Sequence, residues 1–341
     1  MTAPALPEAA GDVWWDVDGL PAVAAVRRAA VALAARLGFP EERAGEVGLV
    51  VSELATNLVT HAGGGDLVLR ADGAGQDARL RVLAIDAGPG SRDIRALMTD
   101  GVSTGSTLGV GLGACVRLST EFDIYSVPAL GTVVAAVLGR RTTSDGRSRF
   151  DVADLTRPLS GGGPCGDLAA HRSDSGGVLL MVADGLGHGP LAADASRRAV
   201  EAFLAAASLS PAAVLERLHG ALGGTRGAAI SVLRYDTSAD AVVHAGVGNV
   251  VTRLVSGRSV RMLPSQPGIV GHRMPRLREL SHPAGDLTAA VLHSDGLSQR
   301  WSLEDVPGVL DHGPAVICAA LLRGAANRRD DAGVLVLRTA A

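Results

Sequence analysis

Aspartates recur at the edges of apolar runs in the second half of this chain: Asp167 in CGDL, Asp184 in VADGLGHG, Asp295 in HSDGL, and Asp330 and Asp331 in RRDDAGVLVLR. A side chain at a strand end is clear of the hydrogen-bonded ladder, so carboxylates from several strand ends can meet in one place. Hard divalent cations such as Mg²⁺ and Mn²⁺ want several oxygen ligands and keep some water, which such a set supplies. No cluster of cysteine or histidine competes. Asp184 is the pivot. The apolar run Gly177 to Ala183 is of strand length and ends at it; Gly185, Gly187 and Gly189 then allow a tight bend, and Pro190 suits the first turn of a helix. Asp184 alone would also suit a helix cap, and the recurrence of carboxylates in similar places favours the metal reading. His188 is either an acid or base for the reaction or, in the reading preferred here, a turn histidine that orients the loop.

A second set lies in the first half. The stretch from Pro40 to His61 repeats apolar residues at helical spacing, at Ala44, Val47, Val51, Leu54, Leu58 and Ala62. Glu53 and Asn57, four apart, stack on one flank of that stripe, and AGGGD follows, which suggests a cleft. A strand from Arg79 to Ile85 ends in DAGPG (Asp86 to Gly90). Further on, Gly109, Gly111 and Gly113 precede a helix and would present backbone N–H groups, a cradle for phosphate.

The elements that must position these groups follow from periodicity. A strand at Val13 to Val17 and a helix at Leu20 to Leu37 open the chain, strands at Asp66 to Ala71 and Arg79 to Ile85 follow the second helix, and strands at Glu121 to Val127 and Gly131 to Leu138 meet in a turn at Pro128–Ala129. Beyond the polar stretch Arg140 to Arg149, strands are expected at Val178 to Ala183, Ala228 to Tyr235, Ala241 to Ala245, Val250 to Val255 and Leu287 to Leu292. Helices are expected at Pro190 to Ala207 and Pro211 to Leu222, the latter capped by Ser210.

In order, GD, ADGLGHG, GVGN (Gly246 to Asn249), PGIVG (Pro267 to Gly271), SDG and RDD resemble the metal-dependent PPM-type Ser/Thr protein phosphatases of the SpoIIE-like branch, over about Arg149 to Arg338. That resemblance implies a β-sandwich with helices outside. It implies that Asp184, the Gly185 carbonyl, Asp295 and Asp330 hold a pair of Mg²⁺ or Mn²⁺ ions, with Asp167 contributing. Because Asp331 stands where many relatives have Asn, both Asp330 and Asp331 remain candidates. The metals would activate a bridging water for hydrolysis of phosphoserine or phosphothreonine. Likewise EL-ATN, DAGPG, GVGLG and a terminal GT resemble the Bergerat (GHKL) ATP-binding fold over about Val13 to Gly139, in its anti-sigma-factor and switch-kinase branch. By position Asn57 would coordinate Mg²⁺ between the ATP phosphates, Glu53 would act as base on a protein hydroxyl, and Asp86 would bond the adenine amino group. Gly88 and Gly90 would shape the pocket, Gly109, Gly111 and Gly113 meet the phosphates, and Thr132 back the adenine.

The expected fold class is α+β: an N-terminal Bergerat α/β sandwich at 1–139, a linker at 140–149 and a C-terminal PPM-type α-β-β-α sandwich at 150–341. A hydrophobic content of 47% in 341 residues supports two full cores. A net charge of −3 and 3% aromatics give neither a field nor stacking surfaces for nucleic acid. MTAPALPEAAGD does not read as a signal peptide, no apolar run approaches the roughly 20 residues a bilayer needs, and Cys115, Cys165 and Cys318 fit reduced thiols in a cytoplasm. The resemblances together imply a bifunctional regulator that phosphorylates and dephosphorylates a STAS-domain anti-anti-sigma protein, with a sigma factor as a possible second partner. The alternative is a phosphatase whose N-terminal module binds nucleotide and a partner without catalysis.

Overall fold

The computed structural model describes residues 11–73, 75–94, 111–139, 149–159, 163–206, 210–327 and 329–340. The chain divides into two compact units, Met1–Gly146 and Arg147–Ala341.

In the first unit β1 (Val13–Val17) leads into α1 (Leu20–Arg36) and α2 (Glu41–Ala62), followed by β2 (Gly65–Asp72), β3 (Arg79–Ile85), α3 (Gly111–Leu118), β4 (Glu121–Val127) and β5 (Gly131–Gly139). The strands form one sheet in the order β1-β2-β3-β5-β4, with every neighbouring pair antiparallel. The stripe read along α2 is the buried one: Ala44, Val47, Val51, Leu54 and Leu58 pack with Val26, Ala30 and Leu33 of α1 onto Leu67, Leu69, Leu80, Val82 and Leu138 of the sheet. Gly63, with φ at 75°, ends α2 in the left-handed conformation that glycine adopts without steric cost.

The second unit holds β6 (Phe150–Arg157), β7 (Asp167–Asp174), β8 (Gly177–Gly185), α4 (Pro190–Leu204), α5 (Pro211–Ala221), β9 (Ala228–Asp236), β10 (Ala241–Val247), β11 (Val251–Ser256), β12 (Ser259–Leu263), β13 (Leu280–Pro283), β14 (Ala289–His293), α6 (Pro314–Ala325) and β15 (Ala332–Thr339). Two five-stranded sheets, β13-β10-β9-β8-β7 and β12-β11-β14-β15-β6, face each other. The alternation along β8 decides what lies between them. Val178, Leu180 and Val182 join Leu254, Leu292, Leu335 and Leu337 in the inter-sheet core, while Leu179, Met181 and Ala183 turn outward onto Phe203, Val214, Leu215 and Leu218 of α4 and α5. On the other side α6 covers β6 and β15. This is the α-β-β-α sandwich expected. Ser210 caps α5 by accepting the Ala213 N–H at 3.4 Å, with Pro211 at its first turn. The strands β6, β7, β12, β13 and β15 and the helix α6 are additions to the elements expected from sequence. No helix among the described residues is long and apolar enough to cross a membrane.

Candidate functional site

In the first unit Asp86, Gly88, Gly90 and Thr132, expected around the adenine, lie where β3 ends and β5 begins. The Asp86 carboxylate accepts the backbone N–H of Gly88 at 2.8 Å and of Thr132 at 3.0 Å through one oxygen, and its own N–H donates to the Thr132 carbonyl at 2.9 Å. Asp86 is thereby fixed in place beside Thr132, whose hydroxyl pairs with that of Ser126 at 2.9 Å; Ser126 also accepts the Ser91 N–H. Gly88 fits here because a Cβ would come within 2.8 Å of the Ala62 methyl at the end of α2. The DAGPG loop is thus packed against the helix that carries Glu53 and Asn57. Gly90 lies in the same loop, beside Val127. Glu53 and Asn57 are half-buried on α2, one turn apart. Glu53 faces α3, where the thiol of Cys115 is pushed up to about 12 by burial and then by the Glu53 charge. Gly111 and Gly113 lie in the first turn of α3, and Gly109 lies outside the described residues. Ser126 and Ser91 were not singled out in the sequence; short hydroxyl side chains beside turns carry no periodic signal.

In the second unit the β7–β8 register sets Asp167 directly opposite Asp184. Asp295 follows β14 and Asp330 precedes β15, neighbouring strands of the other sheet. Four acidic groups are therefore brought together across the end of the sandwich. Burial, and then the charges of Asp167, Asp295 and Asp330, push the Asp184 carboxyl up to about 8, and it lies within hydrogen-bonding reach of Asp295. Asp167 is pushed up to about 7 by burial, with the Ser294 hydroxyl opposing and the charges of Asp331, Asp295 and Asp330 adding. Asp330 is also raised, by burial and by Asp295, against the effect of His188. One oxygen of Asp167, in a residue 3% exposed, has no hydrogen-bond partner.

The two adjacent aspartates part company. Asp331 is 4% exposed and spends one oxygen on the Leu159 N–H at 2.6 Å and the other on the Gly166 N–H at 2.8 Å. Asp330 is half-buried, turned toward Asp295, and accepts the Asp331 N–H at 2.9 Å. Gly185 closes the turn: its N–H donates to the Gly166 carbonyl at 3.0 Å, and a Cβ there would lie 2.2 Å from the Ala192 carbonyl of α4. Asn249 donates to Asp295, and Ser294 also accepts the Gly333 N–H at 3.0 Å; neither was given a role from sequence. Among the described residues no three His, Cys, Asp or Glu side chains meet as a ready-made metal cage. Even so, the set fits hard cations: the donors are all oxygen, they repel one another, and a buried carboxylate oxygen is left without a partner. His244 and His293 lie in the core, both lowered to about 4 by burial, and serve packing through Ser231 and Trp301.

Comparison with known proteins agrees with this division. The model of the histidine kinase-like ATPase domain matches residues 19–138 and that of the stage II sporulation protein E (SpoIIE) matches residues 174–340. The serine/threonine-protein kinase RsbT of Bacillus subtilis (strain 168) is 35% identical over 123 residues, 36% of this chain and 88% of RsbT. The phosphoserine phosphatase RsbX of the same organism is 28% identical over 171 residues, 49% of this chain and 83% of RsbX. A solved chain of the bacterial stressosome, described as a modular system adapted to control secondary messenger signaling, is 28% identical with a TM-score of 0.50, over 56% of this chain and all of that one. Through its RsbT-like domain the chain belongs to the histidine kinase-like ATPase family, and a SpoIIE domain that carries Asp184, Asp295 and Asp330 follows it in the same chain.

Proposed function

We propose that this chain is a two-headed regulator of partner switching, in which an ATP-dependent Ser/Thr kinase head at 1–139 and a metal-dependent phosphatase head at 150–341 act on one STAS-domain anti-anti-sigma protein. The relatives with kinase and phosphatase names support one activity in each head. The observation that carries the reading is the carboxylate cluster, in which Asp167 and Asp184 face each other and are pushed up to about 7 and 8, respectively. Perturbed acids held at one end of a sandwich mark a functional site more readily than a structural one. Asp184, the Gly185 carbonyl, Asp295 and Asp330 would hold Mg²⁺ or Mn²⁺, with Asp167 supporting. Bound there, the ions would lower the pKa of a water and neutralise phosphoryl oxygens. Asp331, whose oxygens both serve backbone amides, holds the two loops that carry the site.

In the kinase head Glu53 takes the proton of the target hydroxyl, and Asn57 holds the Mg²⁺ that accompanies ATP. Asp86 and Thr132 receive the adenine, with Gly88 and Gly90 shaping that pocket, while the backbone at Gly109, Gly111 and Gly113 meets the phosphates. Phosphoryl transfer asks mainly for positioning and charge neutralisation, which these groups supply. The segment 140–149 is the linker between the heads.

The test uses the full chain with Asp184→Asn, so that hydrolysis does not mask transfer. Labelled ATP and Mg²⁺ should pass phosphate to a STAS protein. ATP binding by calorimetry without transfer would make the N-terminal head a nucleotide-responsive module that captures its partner, or a sigma factor, without modifying it. Separately, wild type with Mn²⁺ should release phosphate from phosphoserine protein, and activity that survived excess chelator would rule out the metal site.

A further inference from the structure

Beside the carboxylate centre lies an open cleft of about 570 Å³, lined by Leu186, Gly187, Thr225, Arg226, Ile269 and His272. Its walls are fixed to the end of the sheet. The Leu186 N–H donates to the Gly227 carbonyl at 3.0 Å, Ala228 and Val270 exchange both backbone hydrogen bonds, and the His272 ring bonds the Thr225 carbonyl at 3.0 Å. The turn that forms one wall is the one that leaves Asp184, so whatever occupies the cleft sits next to the reacting phosphate of the phosphatase reading.

The lining is amphipathic. Leu186, 48% exposed, is a large apolar side chain of the lining held open to solvent. The Arg226 guanidinium lies over Gly187, where a Cβ would stand 3.1 Å from Nη1. Among the described residues it makes no ion pair or side-chain hydrogen bond. The loop that supplies Ile269 and His272 continues through Arg273, Arg276 and Arg278, all exposed and also without an ion pair among the described residues. The acid that follows, Glu279, is engaged with the Ala212 N–H at 2.8 Å. Arginines without an ion pair among the described residues thus lie in the cleft and along the loop that continues from it, in a chain whose net charge is −3. A cation in the cleft attracts an acidic residue that flanks the phosphate and orients its approach. Guanidinium also pairs with carboxylate in a planar, two-bond geometry that lysine does not offer.

We infer that this cleft is the docking surface for the segment flanking the phosphorylated residue of the protein substrate, with Arg226 pairing to an acidic side chain and Leu186 and Ile269 receiving an apolar one. The inference rests on the phosphatase reading above. It makes Arg226 a specificity residue that selects among phosphoproteins and leaves the chemistry to the aspartates.

The experiment compares two phosphoserine peptides that differ only in the flanking residues, Asp and Leu in one and Lys and Ser in the other, with p-nitrophenyl phosphate as a substrate that has no flanks. Full-length wild type with Mn²⁺ should favour the Asp/Leu peptide by roughly tenfold in kcat/KM, carried by KM and weakened by salt. Arg226→Glu should abolish that preference while p-nitrophenyl phosphate turnover stays within about twofold, and Arg226→Lys should keep part of it. Equal KM values for the two peptides in wild type, or a parallel loss on p-nitrophenyl phosphate in Arg226→Glu, would overturn the assignment. If wild type turned over none of the three substrates, the phosphatase reading would fall. Fluorescence anisotropy of the labelled peptides would then still decide the surface, which stands if the Asp/Leu peptide binds tighter and Arg226→Glu removes the difference, and falls if the two bind alike.

Discussion

Asp330 and Asp331 show what a side chain's chemistry leaves open. Two carboxylates in succession are equivalent as residue types, and sequence kept both as ligands; strand geometry sends one toward Asp295 and the other into the backbone amides of Leu159 and Gly166. Asp331→Ala should therefore destabilise the protein by about 2 kcal/mol, because it leaves the buried Gly166 N–H without an acceptor and frees the partly buried Leu159 N–H. Asp330→Asn should cost less than about 1 kcal/mol and should weaken Mn²⁺ binding. Urea unfolding and calorimetric metal titration measure the two effects, and equal stability losses would erase the distinction. Other candidate residues stand out in the sequence because they close recognisable apolar runs: Asp86 after β3, Asp184 among the last residues of β8, Asp295 after β14. Asn249 and Ser294 do not, since a polar residue in a turn looks the same whether it faces solvent or a carboxylate.

Whole elements were readable where one face is buried and the other is not. The stripe on α2 and the apolar run of β8 announce themselves, whereas α6 is buried from Val316 to Leu322 without interruption and so lacks the helical period that would have named it. β12 has four exposed residues of five, and β13 has no buried residue, so neither carries the alternation of a half-buried strand. Pairing of β7 with β8 has a consequence for stability. The carboxyls of Asp167 and Asp184 stand above the ordinary 3.8, at about 7 and 8, so their contribution to folding is full below about pH 4 and is lost as pH rises through those values. His244 and His293 act with the opposite sign, lowered from 6.5 to about 4, so their contribution is lost as pH falls across that interval. The two effects oppose each other between pH 4 and 6.5, and above that range the carboxyls act alone. In chelator, the melting temperature should be lower at about pH 8 than at about pH 6, Asp184→Asn should reduce the drop, and Mn²⁺ should stabilise more at the higher pH because its ligands must shed protons. A metal-free wild type that is at least as stable at the higher pH would contradict this account of the cluster.

At the scale of the molecule, two units of unrelated fold share one chain, and in the function proposed above each serves one direction of phosphate transfer. In the sequence that division is expected at the polar stretch 140–149. In the proposed function a partner engaged by one head would stay at high effective concentration for the other, so that one target could be modified and reset. The heads should then oppose each other, and the steady-state phosphorylation of a cognate STAS protein tests this most directly. With ATP, Mg²⁺ and Mn²⁺ present, phosphate-affinity gel electrophoresis of that protein should show less phosphorylation with Glu53→Ala than with wild type and more with Asp184→Asn. With the double variant the partner should remain in whatever state it was added. If Glu53→Ala leaves phosphorylation unchanged while Asp184→Asn still alters it, the N-terminal head is not a kinase and the two-headed account is wrong.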